Sequence, residues 1–184
     1  ALHLDIKGAF NSVRWPLIIK KLKSLNCPNY LICWIMDYLQ HRTQFYASNS
    51  TKAEVNVTKS TPQGGSLSPI LWNVLINPLV EVLSRNSSLT LAFADDLAVF
   101  IEAPTWDQVQ SKANRILKIA SNWAKENLVE FNPTKSEYII YTWSRQLIQL
   151  EVLLDSVKLK RVNKVKYLGV VFTEKLTWKA HAEY

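Results

Sequence analysis

The sequence predicts an α+β fold, an antiparallel sheet with helices on one face. Short apolar segments, alternating or continuous, read as strands, as at residues 2–6 and 89–101. Longer segments with apolar residues three and four apart read as amphipathic helices. The two kinds mix without the regular βαβ alternation that marks a parallel sheet.

Residues 1–6 alternate, placing Leu2, Leu4 and Ile6 on one face and His3 and Asp5 on the other. A turn at Lys7-Gly8-Ala9 follows. Residues 12–25 read as a helix, with Ser12 or Arg14 near its cap and Pro16 in its first turn. Pro28 opens a second helix over 28–39. Residues 43–59 hold two strands, "QFYASN" and "AEVNVTK", and "STPQGGSLS" is a loop. Ser68 and Pro69 suit the cap and first position of a helix running to about Ser84. Its inward residues are expected to be Ile70, Val74, Leu75 and Leu79, with a bend at Pro78. After the 89–101 hairpin, Thr105 and Gln108 form a capping-box pattern. The helix behind them runs to about Asn127 on a face of Val109, Ala113, Ile116, Leu117, Ala120 and Trp123. The C-terminal third is strand-like in "EYIIYTW", "LEVLLD", "VKLK" and "VKYLGVVF".

The 184 residues suit one domain or slightly more, and 48% hydrophobic content is ample for a core. There is no low-complexity tract or solenoid repeat, which excludes a disordered or repeat protein. The chain carries 22 Lys and Arg against 15 acids, a net charge of +7 that favours polyanionic partners. Cys27 and Cys33 show no zinc or disulfide-framework spacing, and a reduced intracellular setting is expected. The apolar run "PILWNVLINPLVEVL" is too short and too interrupted to span a bilayer. The first residues already lie in a strand pattern without Met, and "HAEY" carries no helix stop. The sequence therefore reads as an internal piece of a longer polypeptide.

Asp95 and Asp96 sit side by side between two strand-like flanks. Asp is common in turns, yet "DD" is not the Asn-Gly or Asp-Gly chemistry that a tight hairpin favours. Adjacent carboxylates repel, and burial raises their pKa unless a cation compensates. Asp5 also ends an apolar strand. If the two strands are neighbours, three of the chain's six Asp converge at one sheet edge. Such a set suits hard divalent ions such as Mg²⁺. The chain has four glycines, Gly8, Gly64, Gly65 and Gly169, against a usual share of about 7%. Each is expected where backbone geometry or close approach demands it.

"LDIKGAF", "TPQGGSLSP", "FADD", "NPTKSE" and "YLGVVF" occur in this order. Together they resemble successive motifs of the reverse transcriptase palm, across essentially the whole chain. The flavour is similar to non-LTR (LINE-type) retrotransposons, through "PQGGSLSPILWN", "NWAKENL" before "NPTK", and the tail "YLGVVFTEKLTWKAH". Group II intron enzymes share "TPQGG" and "ADD" but match the tail less well. The resemblance implies an RRM-like palm sheet, with residues 12–60 partly on the fingers side. Residues 137–184 would hold the palm end, the primer-grip hairpin and the start of the thumb connection.

It also implies RNA-templated DNA synthesis from dNTPs with two Mg²⁺ ions, for which Mn²⁺ substitutes. Asp5 and Asp95 would ligate both ions and Asp96 would be the outer ligand. The backbone of Ile6, Lys7, Gly8 and Ala9 would lie against the triphosphate. Phe10 would be the gate that excludes a ribose 2′-hydroxyl. Gln63 and Gly64 would touch nucleotide and template, Gly64 by close backbone approach, and Lys135 would stand near the leaving pyrophosphate. Tyr167, Leu168 and Gly169 would grip the primer. The expected partners are RNA template, DNA primer and the rest of one polyprotein, including fingers, thumb and an endonuclease, with no membrane. Integration implies the nucleus.

Two departures stand out. Phe93 occupies a position where Tyr is commoner, and "NLVEFNPTK" lacks a glycine the family often has. A degenerate copy that only binds nucleic acid is the rival from another class; the acid triad with Phe10 opposes it. Phe10 also opposes an RNA-templated RNA polymerase. His3, His41 and His181 show no ligand spacing and read as structural. The seven Trp read mostly as core, with Trp143 and Trp178 able to stack on bases.

Overall fold

The computed structural model describes residues 1–40, 42–48, 51–62, 64–144 and 148–184. Gln63 and His41 lie outside them. The elements run β1 (Leu2–Asp5), α1 (Ala9–Ser12), α2 (Trp15–Ser24), α3 (Asn29–Leu39), β2 (Thr43–Ser48), β3 (Thr51–Asn56) and α4 (Ser68–Asn86). Then follow β4 (Leu89–Phe93), β5 (Asp96–Phe100), α5 (Trp106–Asn127), β6 (Glu137–Ile139), β7 (Leu153–Leu154) and β8 (Val157–Lys158). The chain closes with β9 (Lys160–Val162), β10 (Lys164–Tyr167), β11 (Val170–Thr173) and α6 (Lys179–Ala182). The fold is mixed α+β around a central, mostly antiparallel sheet. The residues form two compact units: 1–7 with 79–184, and 8–78.

The first unit holds the central sheet, in the order β4-β5-β1-β6-β9. Every pairing is antiparallel except β6 with β9. β1 lies inside the sheet, matching Leu2 to Val99, His3 to Ala98, Leu4 to Leu97 and Asp5 to Asp96. Directly opposed residues share a face. Leu2, Leu4, Leu97 and Val99 are therefore on one face, and all are buried. His3, Asp5, Ala98 and Asp96 share the other. α5 starts as its sequence signals, with the Thr105 hydroxyl accepting from the Gln108 amide at 3.4 Å. It ends at Leu128 in the left-handed conformation, φ 56°. Ala113, Ile116, Leu117, Ala120 and Trp123 are buried as expected.

The second unit holds α1 to α3, the β2–β3 hairpin and the first part of α4. Gly8 precedes α1 at φ +52°, and its carbonyl accepts from the Asn11 and Ser12 amides. The "TPQGG" loop is tied back to α1, the Thr61 amide donating to Phe10 at 2.9 Å. The ring of Phe10 tilts against that of Trp72 at 6.1 Å.

Several expectations change. α4 runs through Pro78 to Asn86, close to the expected end, and the expected Leu75 and Leu79 are buried together with Leu71, Trp72, Ile76 and Leu83. Ile70 is 56% exposed. Asn73, Asn77, Glu81 and Arg85, four residues apart, mark the exposed face, and the buried stripe lies opposite them. Of the seven Trp, only Trp72 and Trp123 are buried, whereas Trp34, Trp106, Trp143 and Trp178 are exposed. Only residues 137–139 of "EYIIYTW" and 153–154 of "LEVLLD" form strands. β9 was not anticipated as a separate strand.

Ile116 is fully buried in α5, so Ile116→Ala should destabilise the chain by about 2–5 kcal/mol in denaturant titration. Ile70→Ala should change stability by less than about 0.5 kcal/mol, because that side chain faces solvent.

Candidate active site

The β4–β5 hairpin has a two-residue loop, Ala94-Asp95, closed by the Phe93–Asp96 pair. Ala94 has φ 52° and Asp95 has no positive φ, the φ pattern of a II′ turn, one of the two types whose twist suits a hairpin. The turn sets Asp95 at the tip and makes Asp96 the first residue of β5. Register then sets Asp96 directly opposite Asp5. The expectation that the two strands are neighbours holds.

The acids feel one another. Burial is the largest cause of a raised Asp96 pKa, and the charges of Asp95 and then Asp5 raise it further. Such mutual repulsion is what a bound cation relieves. Three carboxylates also supply the hard oxygen donors that Mg²⁺ or Mn²⁺ accepts. The donor chemistry therefore fits a divalent ion. The closure does not go as far: among the described residues, no three His, Cys, Asp or Glu side chains are gathered closely enough to hold a metal ion.

The segment "FNPTKSE" frames Asp5. The Asn132 side chain accepts from the Thr134 amide and hydroxyl, an Asx turn. The Asn132 carbonyl accepts from the amides of Lys135 and Ser136. This compact turn presents Lys135, exposed, on a small cleft of about 110 Å³ that Asp5, Asp96 and Tyr167 also line. β10 and β11 form the expected hairpin, with Leu168 and Gly169 at φ 47° and 85°. Two consecutive positive φ values are the I′ pattern. Tyr167 packs edge-on against His3, ring centroids 5.7 Å apart. Burial and the charge of Asp96 raise its phenol pKa. Burial is the largest cause of a lowered His3 pKa and favours its neutral imidazole.

Asp5, Asp96, Lys135 and Tyr167 are thus brought to one cleft, with Asp95 at the adjoining turn and Leu168 and Gly169 in the β10–β11 turn next to Tyr167. Other residues named from the sequence stand as follows. Ile6 is buried and bridged to Phe131. The Lys7 amide is committed to the Glu130 carbonyl at 2.8 Å, and its ammonium meets the Glu130 carboxylate at 3.2 Å in solvent. Gly8, Ala9, Phe10 and Gly64 belong to the second unit. Gly64 has φ +83°, but a Cβ there would meet nothing within 4 Å. At the neighbouring Gly65, a Cβ would lie 2.7 Å from the Tyr38 hydroxyl oxygen.

Sequence reading missed Ser136, Asn132 and Glu137 as neighbours of the acids. Glu137 is opposite His3 on β6, and its pKa is raised mainly by burial. The signal for Ser136 and Asn132 was present in "NPTKSE", a turn motif closing onto a strand. What it could not tell was which strand that turn would meet.

Residues 1–172 match the model of the family described as reverse transcriptase (RNA-dependent DNA polymerase), and the chain belongs to that family of nucleotidyltransferases. Its relatives are Pol proteins of non-LTR retrotransposons. One is the Retrovirus-related Pol polyprotein from type-1 retrotransposable element R1 of Bradysia coprophila, 24% identical over 100% of this chain and 18% of the relative. The probable RNA-directed DNA polymerase from transposon X-element of Drosophila melanogaster is 31% identical over 98% of this chain and 20% of its own length. The RNA-directed DNA polymerase from mobile element jockey of the same fly is 27% identical over 97% and 20%. The chain spans about a fifth of the length of these relatives. Among the described residues, no helix is long and apolar enough to cross a membrane.

The Asp96 carboxyl has a folded pKa above its unfolded value, so the folded chain binds that proton more tightly. Its charge opposes folding fully at pH 7, and the opposition fades as pH falls through the raised value. Without divalent cations, Asp96→Asn should therefore raise the Tm at pH 7, and the gain should shrink on acidification.

Proposed function

We propose that this chain carries the nucleotidyl-transfer centre of an RNA-directed DNA polymerase that extends a DNA primer on an RNA template. The assignment is carried by one observation: in a chain of this family, Asp5 and Asp96 stand opposite each other at the sheet end where the turn adds Asp95.

On this reading the central sheet is the palm, residues 12–60 belong partly to the fingers, and residues 137–184 include the primer-grip hairpin and the start of the thumb connection. Asp5 and Asp95 would hold two Mg²⁺ ions, with Asp96 as the outer ligand. Ions bound there supply the Lewis acidity that makes the primer 3′-hydroxyl a better nucleophile and balances the triphosphate charge. The hydroxyl displaces pyrophosphate from the α-phosphate in line. Lys135 offers its ammonium to the leaving pyrophosphate as cation or proton donor. The main chain at residues 6–9 would border the triphosphate, although the Lys7 amide donates to the Glu130 carbonyl. Gln63 and Gly64 border nucleotide and template. Phe10 occupies the volume a 2′-hydroxyl needs, selecting deoxynucleotides by exclusion. Tyr167, Leu168 and Gly169 steady the primer end.

The names of the relatives support a role in retrotransposition. The reading extends this to target-primed reverse transcription in the nucleus, with fingers, thumb and an endonuclease in the same polyprotein. A group II intron-type enzyme is the alternative within the class. The rival reading is a copy that binds nucleic acid without catalysis.

The test is dNTP incorporation on a primed RNA template by the intact polypeptide in Mg²⁺. Asp95→Asn should lower incorporation by about a hundredfold or more while the primed template still binds. A folded wild type that binds the template and incorporates nothing supports the binding-only copy. Phe10→Ala should raise ribonucleotide incorporation relative to deoxynucleotide.

A further inference from the structure

β1 is central, but its partner on one side runs out early. β6 pairs only at Leu2–Tyr138 and His3–Glu137. Beyond Glu137 the chain turns away into "NPTKS", so the ladder ends before Asp5. The Asp5 amide would otherwise lack a strand partner on that side. The Ser136 hydroxyl takes the place of the missing ladder carbonyl and accepts from the Asp5 amide at 3.1 Å. The Asn132 amide donates to the Asp5 carbonyl at 2.8 Å. Both backbone polar groups of Asp5 are thus held by one turn, and that turn also carries Lys135. Ser136 is 1% exposed, so no water competes for its oxygen.

We propose that Ser136 is a positioning residue for the polymerase centre, fixing the backbone of Asp5 opposite Asp96 and tying it to the turn that presents Lys135. The proposal rests on the polymerase reading above. The Ser136 oxygen does not face the reacting atoms; it acts through the Asp5 amide. Without that acceptor, the strand end frays where the carboxylate must be held, and residues that orient metal-binding groups usually matter about 10–100-fold.

The test uses the intact polypeptide with Ser136→Ala, Ser136→Cys and Ser136→Thr. Cys keeps the volume but its sulfur is a weak acceptor, whereas Thr keeps the hydroxyl. Two quantities are read: primer extension in Mg²⁺, separating kcat from the KM for dNTP, and amide hydrogen exchange at Asp5 without metal. Ala and Cys should lower kcat about tenfold with little change in KM, and should speed Asp5 exchange. Thr should restore both. Unchanged kcat in Ala and Cys overturns the proposal, as does slower turnover with unchanged Asp5 exchange. Loss in Ala that Cys repairs also overturns it, since volume would then be the cause. Should Thr not fit the buried site and lower the Tm, the comparison of Ala with Cys decides. A folded wild type that extends no primer removes the polymerase reading itself, and the role proposed for Ser136 with it. That outcome is distinct from an active wild type whose variants are indifferent.

Discussion

The antiparallel register between β1 and β5 is the constraint on which the rest depends. Leu2, Leu4, Leu97 and Val99 are buried on one face, and Asp5 and Asp96 come into opposition on the other. Side chains alternate with a period of two, so a slip of one residue would drive the acids inward and the leucines out. Burial of four aliphatic side chains, each worth about 1.5–3 kcal/mol, outweighs the repulsion of exposed carboxylates screened by water. The apolar face therefore sets the register, and the charged face accepts it.

That repulsion gives the site its character. Asp96 is strained electrostatically by Asp95 and Asp5, and the nearby Tyr167 phenol is driven further from ionisation by Asp96. A cleft that resists negative charge yet exposes carboxylate oxygens is suited to cations. Among the described residues, two ammonium groups line it, Lys166 of β10 and Lys135, the latter presented by a turn whose hydrogen bonds also anchor Asp5. Charge and backbone support thus come from one short segment.

Much of this was legible. The alternation in "LHLDI" placed Asp5 on the face opposite the leucines. The apolar flanks of "ADD" marked a hairpin, and the Thr105 and Gln108 pattern marked the start of α5. These are local signals, read within one turn or one strand. On α4 the sequence marks Leu75 and Leu79 as buried, but Ile70 faces solvent where Leu71, Trp72 and Ile76 are inside, because apolar residues flank that face on both sides. Most Trp were expected inside, but their large rings are exposed at four positions, which composition cannot foresee. The tight packing of Gly65 against Tyr38 of α3 was not legible, because it joins residues far apart in the sequence.

By itself, the sequence determined the α+β class and the family, because these follow from local periodicity and from motifs in a set order. Tertiary structure alone decided that β1 lies between β5 and β6, that Asp5 faces Asp96, and that Ser136 and Asn132 hold the Asp5 backbone. Those facts join residues up to 131 positions apart. Pairings at that separation depend on which surfaces bury against each other, and no local pattern encodes that choice.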